Sequence, residues 1–351
     1  MHGGFFEHAT THPQISHPQR MMVTTQKMHS TTSPELVSVV IPTFNRGTTI
    51  NRAIDSVLEQ GYPNIEIIVV DDGSTDDTAE RMERYRDDSR VKYLTFPNGG
   101  VCTARNRGIR ASSGEYIAML DSDDYWLPGK LALQLEVLRA HPELRLVWTD
   151  MDAIDVDGNI VNQRYLRKMY SCYEYFPNLE GLFDKSYLSN DGAQIHLGHI
   201  APSLVLGNLV HTSTVLARRS SLNEAGDYDQ SVHPSEDQDY YYRVCKTGRV
   251  ALIDTVTIHY QIGASDAATA ESRSFELATS SLKVFERLCL REPDGASDTN
   301  RRRARRSLYR WVGRAALLHG DRAMARHYLI RSLLMAPFDY RVAVNLARTF
   351  V

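Results

Sequence analysis

The hydrophobic pattern changes period along the chain. Leu36-Val-Ser-Val-Val-Ile41 is a short β-branched run closed by Pro42, which predicts a buried parallel strand. Ile50, Ala53, Ile54, Val57 and Leu58 then recur at helical spacing until Gly61-Tyr-Pro63 stops the helix. A second buried run, Ile65 to Val70, leads into Asp71-Asp-Gly-Ser-Thr-Asp-Asp-Thr78, a polar turn rich in helix-capping residues, with a helix expected through Arg86. Val91 to Leu94 reads as a third strand, Pro97 to Gly100 as a loop and Val101 to Ser112 as a helix. Tyr116 to Leu120 makes a fourth strand that ends in Asp121-Ser-Asp-Asp124. This alternation predicts an α/β fold with a parallel sheet covered by helices on both faces. Ligands of such sheets bind beyond the carboxyl ends of the strands. Pro42 to Arg46, Asp71 to Thr78 and Asp121 to Asp124 all fall there.

Residues 151–235 are less regular and read as mixed strands and long loops. From about Glu271 the period is helical throughout. Leu308, Trp311, Val312, Ala315 and Leu318 form one apolar stripe, Gly320-Asp321 breaks it, and Ala325, Tyr328, Leu329, Ser332 and Leu333 form the next. Pro337 ends that helix and Val342 to Phe350 starts another. The pair resembles a single tetratricopeptide-like hairpin, which cannot by itself make a solenoid. Residues 1–34 carry five scattered histidines (His2, His8, His12, His17, His29) and little periodic hydrophobicity, so they read as a disordered leader, with later starts at Met21, Met22 or Met28 compatible. Their irregular spacing favours a solvated tail over a metal site, and no secretory signal is visible. The expected organisation is therefore a leader at 1–34, a main domain at 35–268 and a helical region at 269–351.

Composition narrows the classes. With 351 residues, 42% hydrophobic and 24% charged, the chain suits about two folded domains and is not wholly disordered. Four scattered cysteines without a CxxC pair argue against a zinc ribbon or disulfide scaffold, and suit a reducing, cytoplasmic compartment. No apolar run approaches the ~18 residues of a membrane span, which excludes a membrane-embedded enzyme. The net charge of −3 hides an asymmetry: residues 301–351 hold twelve Arg against Asp321 and Asp339 (+10), leaving −13 on the rest. No zinc finger or RNA-binding signature accompanies the basic end, so nucleic acid is not expected as a partner.

The acidic clusters carry the candidate chemistry. Asp121 and Asp123 are two apart, so on an extended chain their carboxylates face one side. Crowded carboxylates are unfavourable unless a cation sits between them, and Mg²⁺ or Mn²⁺ shares such oxygens with substrate phosphates. An isolated DxD is equally a capped turn. Asp71-Asp72 divides the same way, between acids at a helix start and a carboxylate accepting from a base or ribose. Gly129-Lys130 lacks the upstream Gly of a Walker A loop and no GxGxxG occurs, so any nucleotide diphosphate would have to be held by a divalent cation.

Five blocks in sequence carry a resemblance: Val37 to Arg46, Val69 to Thr78, Asn98 to Gly108, Tyr116 to Asp124 and Glu236 to Arg243. Together they resemble glycosyltransferase family 2, over roughly residues 36–265. The resemblance implies a GT-A fold and inverting transfer from a nucleotide-diphosphate sugar, usually a UDP-sugar. It implies a donor pocket of Pro42, Thr43, Asn45, Arg46, Asp71, Asp72, Arg105, Asp121 and Ser122, with Asp123 as ligand of Mn²⁺ or Mg²⁺. It makes Asp237 the catalytic base, with Glu236 and Arg243 supporting. The expected acceptor is a glycan or a lipid-linked molecule of cell-surface polysaccharide synthesis.

Other residues carry two readings. His211, in Gly207-Asn-Leu-Val-His-Thr-Ser-Thr214, would meet the acceptor or be structural. His259, in Ile258-His-Tyr-Gln-Ile-Gly263, departs from the Tyr-Arg-x-His stretch frequent in related sequences, and would serve the metal or diphosphate site. His196 and His199 have HxxH spacing without a third ligand, and Trp126 and Trp148 read as core or pocket wall. Arg301 to Arg306 is either a solvated face or a contact with anionic lipid at the inner face of the cell membrane. A non-catalytic glycan or nucleotide scaffold and a nucleotide-sugar hydrolase are the competing functional classes.

Overall fold

The computed structural model describes residues 35–263 and 273–350. The expected leader, and the expected boundary at 268, lie outside the described residues. Eleven strands form one mixed sheet among those described: β1 Val37–Thr43, β2 Ile65–Asp71, β3 Val91–Thr95, β4 Tyr116–Met119, β5 Tyr125–Trp126, β6 Leu144–Ile154, β7 Ile160–Asn162, β8 Lys185–Leu188, β9 Gln194–Gly198, β10 Leu216–Arg218 and β11 Arg249–Gln261. Their order is β3-β2-β1-β4-β10-β6-β11-β9-β8, with β5 beside β11 and β7 beside β6. The β3-β2-β1-β4 half is parallel, and β10 runs antiparallel between β4 and β6.

Every residue of β1 and β2 is buried, as unbroken β-branched runs demand of a strand covered on both faces. Pro42 lies inside β1 instead of closing it. The Val40 carbonyl accepts from Leu120 N–H on the β4 side (3.0 Å) and the Thr43 carbonyl from Asp72 N–H on the β2 side (2.9 Å). Pro42 thus faces the β4 side, where β4 has already turned away and no donor is needed. The helix Val101–Ala111 lies close against this half because Gly108 has no side chain. A Cβ there would stand 2.2 Å from Val40 Cγ1 and 3.2 Å from Val70 Cγ2. The helix expected through Arg86 is shorter, Thr78–Met82, followed by a 3₁₀ turn at Glu83–Tyr85. That turn buries Tyr85, whose hydroxyl donates to Asp55 (2.9 Å).

Four helices follow the sheet: Ser274–Arg291, Asp298–His319, Arg322–Met335 and Tyr340–Ala347. The first faces two ways. Val284 and Leu288 join the main core, while Ala278, Leu282 and Phe285 pack with Leu206, Tyr309 and Val312 in a second one. Gly320, at φ +91°, ends the second helix and the Asp321 carboxylate caps the third by accepting from Met324 N–H (2.9 Å). One expected core residue is misplaced: Leu318 is 67% exposed. Small Gly313 and Ala316 turn the contact face toward Leu329 and away from Leu318.

Candidate active site

The loops after β1 and β2 are tied together by short polar contacts. Asn45 has positive φ (53°); its N–H donates to Ser74 Oγ (2.9 Å), and its Oδ1 accepts from Thr75 N–H (2.8 Å). Asp71 accepts from Ser74 N–H (2.7 Å) and from the Tyr93 hydroxyl. Asp72 accepts from the N–H groups of Gly99 (2.9 Å) and Gly100 (2.7 Å), fixing the start of the helix that carries Arg105. Both carboxylates are only 3% exposed and Thr43 is equally buried, so these residues tie the loops beyond β1 and β2 together from inside.

After β4 the chain turns out of the sheet. Asp121 and Asp123 keep partly exposed carboxylates, 28% and 22%. Arg105 Nη2 bonds Asp121 at 2.8 Å and Arg46 Nη2 lies 3.5 Å from Asp123. Ser122 is buried. Asp124 is 1% exposed and ties three segments: it accepts from Ser213 Oγ (2.5 Å) and from Gln261 N–H at the end of β11 (3.1 Å). Burial, then the charges of Asp123 and Asp121, drive its carboxyl well above the usual range. That crowding is what a divalent cation relieves. Two partly exposed carboxylates beside a third, at a strand end, are the hard oxygen donors suited to Mg²⁺ or Mn²⁺ sharing its shell with phosphate and water. The residues present therefore fit the ion, with Asp121 and Asp123 the accessible donors.

Arg105 connects this turn to the second half of the site. It is 6% exposed, and its other arm donates to Glu236 at 2.9 Å. Glu236 opens the helix Glu236–Lys246 and is also held by His233 Nδ1 (2.9 Å). Burial opposes its ionisation, but His233 and Arg105 override that and keep its carboxyl below the usual range. Asp237 follows, partly exposed, with Asn208 Nδ2 donating to it at 2.7 Å. Poor solvation first, and the adjacent Glu236 charge second, raise its carboxyl to about 7. An ion-paired chain thus runs from Asp121 through Arg105 to Glu236, with Asp237 at its end.

Three predicted residues stand apart from that chain. Arg243 bonds Asp239 (2.9 Å) and the carbonyls of Ala225 and Asp227, so it clamps a turn behind the helix. His259 on β11 meets the Tyr125 hydroxyl at 2.6 Å. His211 is buried edge-on to Tyr260 (4.7 Å between ring centroids), burial pushes it down to about 4, and its Nδ1 has no hydrogen-bond partner among the described residues. His196 bonds Ser186, and both Trp126 and Trp148 are core. Asn208, Ser213, His233 and Gln261 were missed. Their partners lie 3 to 137 positions away; Asn208, Ser213 and Gln261 sat in stretches already singled out, and His233 did not.

The comparisons agree with this architecture. Residues 38–195 match the model of glycosyl transferase family 2. An uncharacterized glycosyltransferase of Rickettsia typhi is 30% identical over 262 residues, 74% of this chain and 72% of its own length. The chain belongs to glycosyl transferase family 2. Among individual relatives, the Escherichia coli chondroitin synthase is 37% identical over 137 residues, 39% of this chain. The chain spans only 20% of that synthase, and 18% of an uncharacterized glycosyltransferase of Rickettsia bellii that it matches at 47% identity. A mannosyltransferase of Pyrobaculum calidifontis, solved with GDP-Man and Mn²⁺, shares the fold: TM-score 0.55 at 18% identity, over 91% of this chain and 86% of that one. Among the described residues no helix is long and apolar enough to cross a membrane.

Proposed function

We propose that the chain is an inverting glycosyltransferase, moving a sugar from a nucleoside-diphosphate donor, in our reading a UDP-sugar, to a glycan or lipid-linked acceptor in cell-surface polysaccharide synthesis. The observation that carries this reading is the placement of Asp237. Its carboxyl titrates near neutrality at the end of the ion-paired chain that begins at the Asp121–Asp123 turn. A base poised near the working pH takes a hydroxyl proton most effectively, worth roughly 10²–10⁴-fold in rate. Inversion needs that base on the face of the anomeric carbon opposite the leaving diphosphate. In this reading Asp237 stands on the acceptor side and the aspartate turn on the donor side.

Asp237 accepts the acceptor proton as the hydroxyl attacks, and Asn208 holds the carboxylate in place. Arg105 keeps Asp121 and Glu236 fixed and brings positive charge close to where the leaving group gains its negative charge. Asp123, assisted by Asp121, would hold Mn²⁺ or Mg²⁺, which when bound supplies charge neutralisation for the diphosphate. Asn45, Thr43 and the loop after Asp71 form the nucleotide wall. The similarity to family members named for glycosaminoglycan synthesis supports a polysaccharide role. The test is release of nucleoside diphosphate from a panel of UDP- and GDP-sugars with Mn²⁺ and candidate acceptors. One donor should be turned over by the parent, with product on the acceptor, and not by Asp237→Asn. Release without acceptor product would instead establish a hydrolase, and turnover unaffected by Asp237→Asn would remove the proposed base.

A further inference from the structure

The basic end of the chain resolves into two groups of arginines. Most of the 301–306 run points at its own fold. Arg301 Nε donates to the Ala296 carbonyl (2.9 Å), Arg303 and Arg305 lie over the rings of Tyr175 and Phe285, and Arg306 approaches Asp339 (3.9 Å). Arg331 on the next helix also lies over a ring of the fold, Tyr309 (5.8 Å), but stays exposed, as do Arg322, Arg341 and Arg348. Residues 322–350 contain five Arg and one acid, Asp339, which is only 14% exposed and occupied as a helix cap and by Arg306 and Arg310.

The same surface exposes large apolar side chains. Ala325, Leu329 and Ser332 turn inward on the helix Arg322–Met335, while Ile330 and Leu334 turn outward, 43% and 74% exposed. The following turn and helix add Phe338 (98%), Tyr340 (69%), Val344 (50%) and Phe350 (68%). Cations sit among them: Arg326 lies over the Phe350 ring (5.3 Å) and Arg341 over Tyr340 (5.8 Å). Exposed aromatic and aliphatic groups interleaved with arginines, and no available carboxylate, make a face complementary to an anionic lipid surface. A soluble partner with an acidic patch would match the charge but leave side chains as exposed as Phe338 unexplained.

We infer that the outer face of the helices Arg322–Met335 and Tyr340–Ala347 docks on an anionic bilayer, with Leu334 and Phe338 entering the interface and Arg331 and Arg341 meeting lipid phosphates. This moves the expected lipid contact from Arg301–Arg306 to the outer face of the two helices that follow, and it stands independently of the donor chemistry.

The full chain would be sedimented with vesicles of phosphatidylcholine alone and of phosphatidylcholine with phosphatidylglycerol. Binding is expected only to the second, weakening with salt. Arg331→Gln with Arg341→Gln removes two interfacial charges and should weaken partitioning about 30-fold, at about 1 kcal/mol each. Leu334→Ser with Phe338→Ser should weaken it by at least about tenfold, and both changes are at exposed positions that leave the fold intact. Arg302→Gln with Arg303→Gln should leave most binding in place. The inference is overturned if the parent ignores anionic vesicles or if the Arg302/Arg303 pair matters as much as Arg331/Arg341. A dimer in solution that Leu334→Ser with Phe338→Ser dissociates would overturn it too, because a second copy would then cover the face.

Discussion

Replacing Glu236 by Gln should move the acid limb of the rate profile to lower pH. In the parent, only ionised Asp237 can take the acceptor proton, so kcat/KM should fall as pH drops through about 7. The Glu236 charge is one of the two principal reasons the Asp237 carboxyl titrates so high, the other being poor solvation. Gln keeps the shape and removes the charge. It also leaves Arg105, still paired with Asp121 at 2.8 Å, less neutralised, which favours the Asp237 carboxylate further. A like charge one residue away on a helix, on the order of 7 Å off at an effective dielectric of about 20, contributes about 2 kcal/mol. That corresponds to a shift on the order of one pH unit. The assay is nucleoside diphosphate release against pH for both proteins, with a nucleotide thermal-shift control to show that the donor side is intact. A limb that stays at about 7, or moves to higher pH, would refute the assignment of Asp237 as the titrating base.

Asp237→Asn should be inactive yet more stable than the parent at pH 8. The raised carboxyl is unfavourable to the fold once ionised, so the gain, on the order of 2–4 kcal/mol, should vanish as pH falls toward 4; melting temperatures at both pH values decide it. Gly108→Ala places a methyl 2.2 Å from Val40 Cγ1 and should destabilise by about 1–3 kcal/mol, read as a lower denaturant midpoint. Glu66, buried on β2 opposite Ser38 of β1, is desolvated, but Lys92, Ser38 and Ser113 outweigh that and hold its carboxyl at about 2. The stability it contributes, about 3 kcal/mol, is present above about pH 4.5 and lost as pH falls toward 2, so Glu66→Gln should flatten the acid-unfolding curve over that window.

The parallel half of the fold was legible because its signals are local. A β-branched run, a polar turn and a helical stripe each occupy fewer than a dozen residues, and β1 to β4 appear within a residue or two of the expected limits. The antiparallel half was not. β10 is three residues long and is held between β4 and β6, partners some 70 to 100 positions away, which no local period encodes. The site divides likewise. Asp121, Asp123, Arg105, Glu236 and Asp237 were readable as motif residues, and the structure joins Asp121, Arg105 and Glu236 in one ion-paired chain, with Asp237 next to Glu236 and Asp123 paired with Arg46. Asp124 was visible in the same motif, but its role as a buried tie between Ser213 and Gln261 depends on contacts 89 and 137 positions apart. Arg243 was expected from the family resemblance as a supporting residue, and its bonds to Asp239 and to the carbonyls of Ala225 and Asp227 depend on a turn that the motif does not encode.

The central claim is that a metal-assisted donor site lies at the Asp121–Asp123 turn. Thermal stabilisation by UDP, GDP, dTDP and CDP, each with and without Mn²⁺, in the parent and in Asp123→Ala, tests it most directly. The account predicts that one nucleotide raises the melting temperature only with Mn²⁺, by an increment that grows with concentration as RT ln(1 + [L]/Kd), and that Asp123→Ala abolishes the shift. No shift with any nucleotide, or an equal shift in Asp123→Ala, would contradict it.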